Sequence, residues 1–266
     1  MKKMIIAVAI LLLVSGALAQ KPLKPWEEWS KKEAEKILAD SSWSQTQTET
    51  DTGEMFYTPS NMGDTRSREE QGATNQATTL KYYIRLFSAR PIRQAYVRLL
   101  ELSQGQPDEA AVEKRRAWAN LAASDSIIVT VQCESKDQRY LGRAMQAFNS
   151  AVSAILKNSA YLERSDGTRI FLSEYAPPGK DVFGARFIFP RSVNGEPFIS
   201  NKGGSLRFHA EYEGKSNLDQ TNLPTGQVGR NTRGTGSSTG LGTPFKLKLD
   251  MKFKVADLLY NGELEY

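Results

Sequence analysis

From Phe245 to Val255 apolar and charged residues alternate without a break. Phe245, Leu247, Leu249, Met251, Phe253 and Val255 take one parity; Lys246, Lys248, Asp250, Lys252 and Lys254 take the other. Successive side chains of an extended chain point to opposite faces, so this run is a strand with one dry face and one wet face. It demands a sheet covered on one side. A second run matches it: Leu206, Phe208, Ala210 and Tyr212 alternate with Arg207, His209, Glu211 and Glu213. Antiparallel pairing of the two sets glutamates against lysines, worth roughly 0.2–1 kcal/mol per facing pair.

The remaining apolar segments can cover or extend that sheet. Leu80–Ser88 reads as a strand with Tyr82, Ile84 and Leu86 on one face. Pro91 stands where a helix can begin, and Ile92, Ala95, Tyr96, Leu99 and Leu100 follow at helical spacing. Further helices are expected over Asp108–Ala123 and Gln138–Leu156. The second of these carries a stripe of Leu141, Met145, Phe148, Val152 and Ile155. Ile127–Cys133, Arg169–Tyr175 and Ala185–Pro190 read as strands. Cys133 shares the parity of Val129 and Val131, which suits a small buried hydrophobe. Mixed helices and strands followed by a run of strands favour an α+β fold over a doubly wound one. The expected architecture is an antiparallel, partly mixed sheet with one face covered by helices.

The first residues stand apart. Lys2 and Lys3 precede an unbroken apolar run, Met4–Val14, and Ala17-Leu18-Ala19 supplies a small-x-small cleavage site. That is the pattern of a secretory signal segment, and the run falls short of the roughly 20 apolar residues of a membrane span. The expected division is a signal peptide at 1–19, an N-terminal arm at 20–79 and an α+β domain at 80–266. Within the arm, Ser30 and Glu33 fit a capping box for a helix from Lys31 to Ala39. Alternating Thr46, Thr48, Thr50 and Thr52 suit an edge strand. The glycine-rich stretch 214–244 reads as a long loop. Of 35 basic and 30 acidic side chains, loss of Lys2 and Lys3 lowers the excess from five to three. So mild a balance argues against a dedicated nucleic-acid binder.

The segment Lys24-Pro25-Trp26-Glu27-Glu28-Trp29-Ser30-Lys31-Lys32-Glu33-Ala34-Glu35-Lys36-Ile37-Leu38 resembles the mature N-terminus of a family of exported bacterial hypothetical proteins. The similarity extends through Asp40-Ser41-Ser42-Trp43 and Ser88–Ala95 into the C-terminal strand. It implies a bacterial origin and an export route, and no activity, cofactor or site.

Candidate sites are few. His209 is the only histidine, so any histidine-based general base must use it; Glu211 and Glu213 share its face. Gly236-Ser237-Ser238-Thr239-Gly240 matches a nucleophile elbow literally, but its flanks lack the strand–turn–helix context that presents the serine. From Gln71 to Leu100 there is no acidic residue, while Lys81, Arg85, Arg90, Arg93 and Arg98 are present. Brought together they make an anion-binding patch; alternatively they pair with Glu101, Glu109 or Glu113. Trp26 and Trp29 serve either as pegs for a partner or as pins holding the arm to the core.

These features point to an exported, secreted or periplasmic binding or assembly protein of the cell envelope. It is expected to act without catalysis, cofactor, metal or nucleic acid, and its partner is an acidic envelope component or a protein. The alternative is a hydrolase or metal-dependent enzyme using His209 with Glu211 and Glu213.

Overall fold

A computed structural model of the chain describes residues 24–51, 78–104, 108–200, 203–214 and 245–266. The expected signal segment at 1–19, the polar residues 52–77 and the stretch 215–244, with its elbow-like serine, lie outside the described residues. The fold is α+β, and every strand pairing among the described residues is antiparallel.

Two sheets form where one was expected. The first has five strands in the order β1 (Ser44–Asp51), β2 (Thr78–Leu86), β3 (Ser126–Ser135), β7 (Ala185–Pro190), β6 (Glu174–Ala176). The second has four: β11 (Phe245–Lys254), β10 (Ser205–Gly214), β4 (Ala160–Arg164), β5 (Arg169–Phe171). Short ribbons β8–β9 (Ser192–Val193, Glu196–Pro197) and β12–β13 (Leu259–Tyr260, Glu263–Leu264) complete the strands. The two alternating runs pair as their charges suggest, with Glu211 facing Lys248 and Glu213 facing Lys246.

The four-stranded sheet is one-sided, as its alternation requires. Leu162, Leu206, Phe208, Leu249 and Phe253 point inward and are buried. They meet Tyr82, Ile84, Leu86, Val129, Phe187 and Phe189 of the five-stranded sheet. Phe187 and Phe189 set their rings 5.2 and 6.2 Å from that of Phe208. Helix α4 (Gln138–Ser150) lodges against β2 and β3 of one sheet and β10 and β11 of the other. It buries Ala144, Ala147 and Phe148, and Ala151 just past its end is buried with them. The five-stranded sheet is packed on both faces along its middle, while Thr46, Thr48 and Thr50 on edge strand β1 stay exposed. Helices α1 (Lys31–Ala39), α2 (Arg90–Ser103) and α3 (Glu109–Ala119) lie over its far side in a second core.

Two expected elements break where the chain must turn. The helix over 138–156 stops at Ser150, because Val152 is extended (φ −135°, ψ 154°) before a short turn α5 (Ser153–Leu156). The break rotates Val152 and Ile155 out to solvent and buries Leu156 instead. The expected strand 169–175 is two strands in different sheets. Ile170 and Leu172 are buried on one parity and Tyr175 on the other, so the chain crosses between sheets at Leu172-Ser173. Leu172 N–H donates to Ala160 of the four-stranded sheet, and Ser173 N–H to Ile188 of the five-stranded sheet.

Opposite that crossing, one side chain joins the sheets. Gln47 on edge strand β1 accepts from Asp250 N–H (2.9 Å) and donates to Lys248 O (2.7 Å). Its carboxamide thus takes the place of a neighbouring strand's peptide along the free edge of β11. Gln47→Ala should lower stability by about 1–2 kcal/mol in urea unfolding, since two backbone groups lose their partner. Gln47→Glu should cost more, because a carboxylate has no donor for Lys248 O. Equal stability of all three proteins would contradict the bridging role.

Candidate functional site

The outward face of the four-stranded sheet carries the only histidine. Strand pairing sets His209 between Tyr161 on β4 and Asp250 on β11. Its ring stacks on Tyr161 with centroids 4.8 Å apart, and its Nδ1 lies 3.2 Å from Asp250 Oδ2. Asp250 is itself gripped by Arg207, through Nε at 2.9 Å and through Nη2. The hydrogen bonds from Arg207 hold the Asp250 carboxyl below its ordinary value of 3.8 against a smaller opposing effect of burial. Arg207 reaches Glu163 at 3.6 Å; Glu163 pairs with Arg169, whose guanidinium lies 4.3 Å from the Tyr161 ring centre. The exposed Phe171 ring packs edge-on against Tyr161 at 6.0 Å.

Neighbours cover most of the His209 imidazole. Only 12% of the His209 side chain is exposed. Its Nε2 is 3.9 Å from Glu211 Oε2, and Glu211 is held by Lys246 at 2.7 Å. The two carboxylates next to His209 therefore lie at opposite ring nitrogens, which prevents both from closing on one ion with the imidazole. Among the described residues no three histidine, cysteine or acidic side chains converge as metal ligands. Cys133 sits against Met145 (Sγ–Sδ 3.6 Å), and burial pushes its thiol up to about 11, so it remains protonated at neutral pH.

The basic run 81–98 does not assemble the expected anion patch; its arginines turn inward. Arg85 is 5% exposed. It donates through Nε to Leu38 O (2.5 Å) at the end of α1, and through Nη1 to Tyr96 Oη (3.1 Å) and Gln132 Oε1 (3.0 Å). Among the described residues no carboxylate lies within ion-pair distance of it, and burial lowers its pKa. Arg93, 6% exposed, donates to Trp118 O and Leu121 O where α3 ends. Arg98 caps Trp29 O at 2.7 Å and approaches Glu101, one of the expected acidic partners, at 3.4 Å. Burial would push the Glu101 carboxyl up, but Arg116 and Arg98 outweigh it and hold it low. Arg90 binds Glu263 and Glu265, both far away in sequence. Trp26 and Trp29 are buried in the second core beneath α2. They pin the arm, so they present no aromatic peg to a partner.

Sequence reasoning missed Asp250, although its signal is plain in hindsight: it is the one acid among the lysines of the wet face of β11. No protein-family model, no curated protein and no solved structure matches the chain.

Two outcomes follow. Arg85→Ala should destabilise the chain by about 3 kcal/mol, since it strands a buried carbonyl, a hydroxyl and an amide together. A loss below 0.5 kcal/mol (roughly the surface-substitution level) would show that Arg85 is not a cross-tie. The lowered Asp250 pKa gives stability that is fully present above the ordinary value of 3.8 and fades as pH falls through the depressed one. The stability gap between wild type and Asp250→Asn should therefore be widest near neutral pH and shrink in acid. A gap that grows in acid would contradict this sign.

Proposed function

We propose that this chain is an exported, non-catalytic binding or assembly protein of the bacterial cell envelope. Its binding surface is the outward face of the four-stranded sheet, and its partner there is acidic. One observation carries this reading. At the Lys252–Lys254 end of β11 both lysines are exposed, and among the described residues no acidic side chain pairs with them. Lys252 stands across from Arg207, beside the stacked Tyr161, His209 and Arg169. Excess positive charge beside a flat aromatic surface suits a partner that brings negative charge and ring or backbone planes together. The signal-like Lys2–Ala19 supports export, and no described helix is long and apolar enough to cross a membrane.

A hydrolase reading draws on the Asp250–His209 contact, since a carboxylate at Nδ1 is how a general base is oriented. Among the described residues the group at Nε2 is Glu211, which is no nucleophile partner for that base. The test is retention on an immobilised acidic polysaccharide at low salt. Wild type should be retained and released as salt screens the contact, and the double variant Lys252→Glu, Lys254→Glu should elute at markedly lower salt with unchanged melting. Identical elution would remove the proposed surface. Turnover of ester, glycoside or phosphate substrates that disappears in His209→Ala would replace the binding role with an enzymatic one.

A further inference from the structure

His209, the only histidine of the chain, lies between two carboxylates, one at each ring nitrogen. A neutral imidazole carries one N–H and one lone pair. With the proton on Nδ1 it donates to Asp250 Oδ2 at 3.2 Å, and the Nε2 lone pair then faces Glu211 Oε2 at 3.9 Å. The other tautomer turns its N–H toward Glu211 and sets a lone pair against Asp250. Each neutral form therefore leaves an acceptor facing an acceptor. Only the imidazolium, with an N–H at both nitrogens, offers a donor to both carboxylates.

The charged groups around the ring come from four strands. β10 itself contributes Arg207 and Glu211. β11 brings Asp250 directly opposite, with Lys248 and Lys252 on the diagonals. β4 brings the stacked Tyr161 and, diagonally, Glu163; Arg169 of β5 stands against the Tyr161 ring. Asp250 and Glu211 stay ionised while the imidazole titrates. Hydrogen bonds from Arg207 hold Asp250 below its ordinary 3.8, and the hydrogen bond from Lys246 holds Glu211 below its ordinary 4.5. Histidine is the side chain whose charge ordinarily changes between about pH 5 and 8. Burial raises the Glu49 carboxyl, but Glu49 sits on β1 beside Tyr82 and Gln47, away from this face.

Glu211 has two claimants. Its Oε1 accepts from Lys246 Nζ at 2.7 Å, while its Oε2 faces the ring. The Lys246 side chain is 59% exposed, so water competes for that pair and weakens it. His209 is largely covered, where a new charge is screened less. We infer that His209 and Glu211 form a proton-operated switch on the outward face: a proton taken from solvent makes the imidazolium, which draws Glu211 away from Lys246 and frees that lysine for an acidic partner. Proton uptake adds one positive charge to the face, so binding strengthens as pH falls. The switch rests on the role proposed above for this face and supplies its regulation.

Retention on immobilised dextran sulfate, whose own charge stays fixed over the range, tests the switch between about pH 7.5 and about pH 5.5. Wild type should elute at higher salt at the lower pH. His209→Gln should elute at the same salt at both, and Glu49→Gln should keep the wild-type rise. Equal elution of wild type at both pH values, a rise that persists in His209→Gln, or a rise lost in Glu49→Gln would each overturn the switch while the binding surface stands. No retention at either pH would instead contradict the role of the face, and NMR titration of the single imidazole then decides the switch without a ligand. The midpoint should move to lower pH in Glu211→Gln and to higher pH in Lys246→Gln, which leaves Glu211 to the ring. In wild type the Lys246 side-chain signals should follow the imidazole midpoint. A midpoint unmoved in either variant, or Lys246 signals that ignore the imidazole, would overturn the exchange of partners.

Discussion

The Arg85 guanidinium is where four elements meet. It projects from β2, ties down the last turn of α1, meets the Tyr96 hydroxyl of α2 and holds Gln132 of β3. A charge so deeply placed is tolerated only while its hydrogen bonds are made, since burying it without them costs several kcal/mol. The helical layer and the five-stranded sheet must therefore sit in one relative position. The neighbouring arginines repeat the device at the ends of helices, where backbone carbonyls lack partners: Arg93 at the end of α3, Arg98 over Trp29. The basic segment thus acts as a set of internal cross-ties. The outward face of the four-stranded sheet lies on the opposite side of these layers and carries charged side chains of its own.

Closure of the sandwich depends on two unlike joints. On one side the chain itself crosses at Leu172-Ser173; on the other, the Gln47 carboxamide stands in for a peptide on the edge of β11. Between them the aromatic contacts of Phe187, Phe189 and Phe208 and the insertion of Phe148 beside Tyr82 fill the interior. β10 and β11 present one wet face, which is why their alternation is so regular.

Much of this was legible in the residues. Strict alternation located β10 and β11 and the buried face of each, because a one-residue slip would expose every inward side chain. Ser30 and Glu33 formed the expected capping box. Other features had weaker signals. The crossing at Leu172-Ser173 leaves only a change of parity between Leu172 and Tyr175. The helix break at Val152 was hidden by a stripe that continued in sequence but not in space. The fate of the arginines was least legible, because their acceptors are backbone carbonyls or carboxylates as distant as Glu263 and Glu265, and neither leaves a local pattern.

The inward turning of the basic segment can be read directly by labelling the native chain with a guanidinium-selective dicarbonyl and locating adducts by peptide mass spectrometry. Arg169 and Arg116, each nearly half exposed, should react readily, while Arg85 and Arg93 should react only after unfolding. Modification of Arg85 and Arg93 in the native chain at the rate of Arg169 would contradict the cross-tied arrangement and return the basic run to the surface.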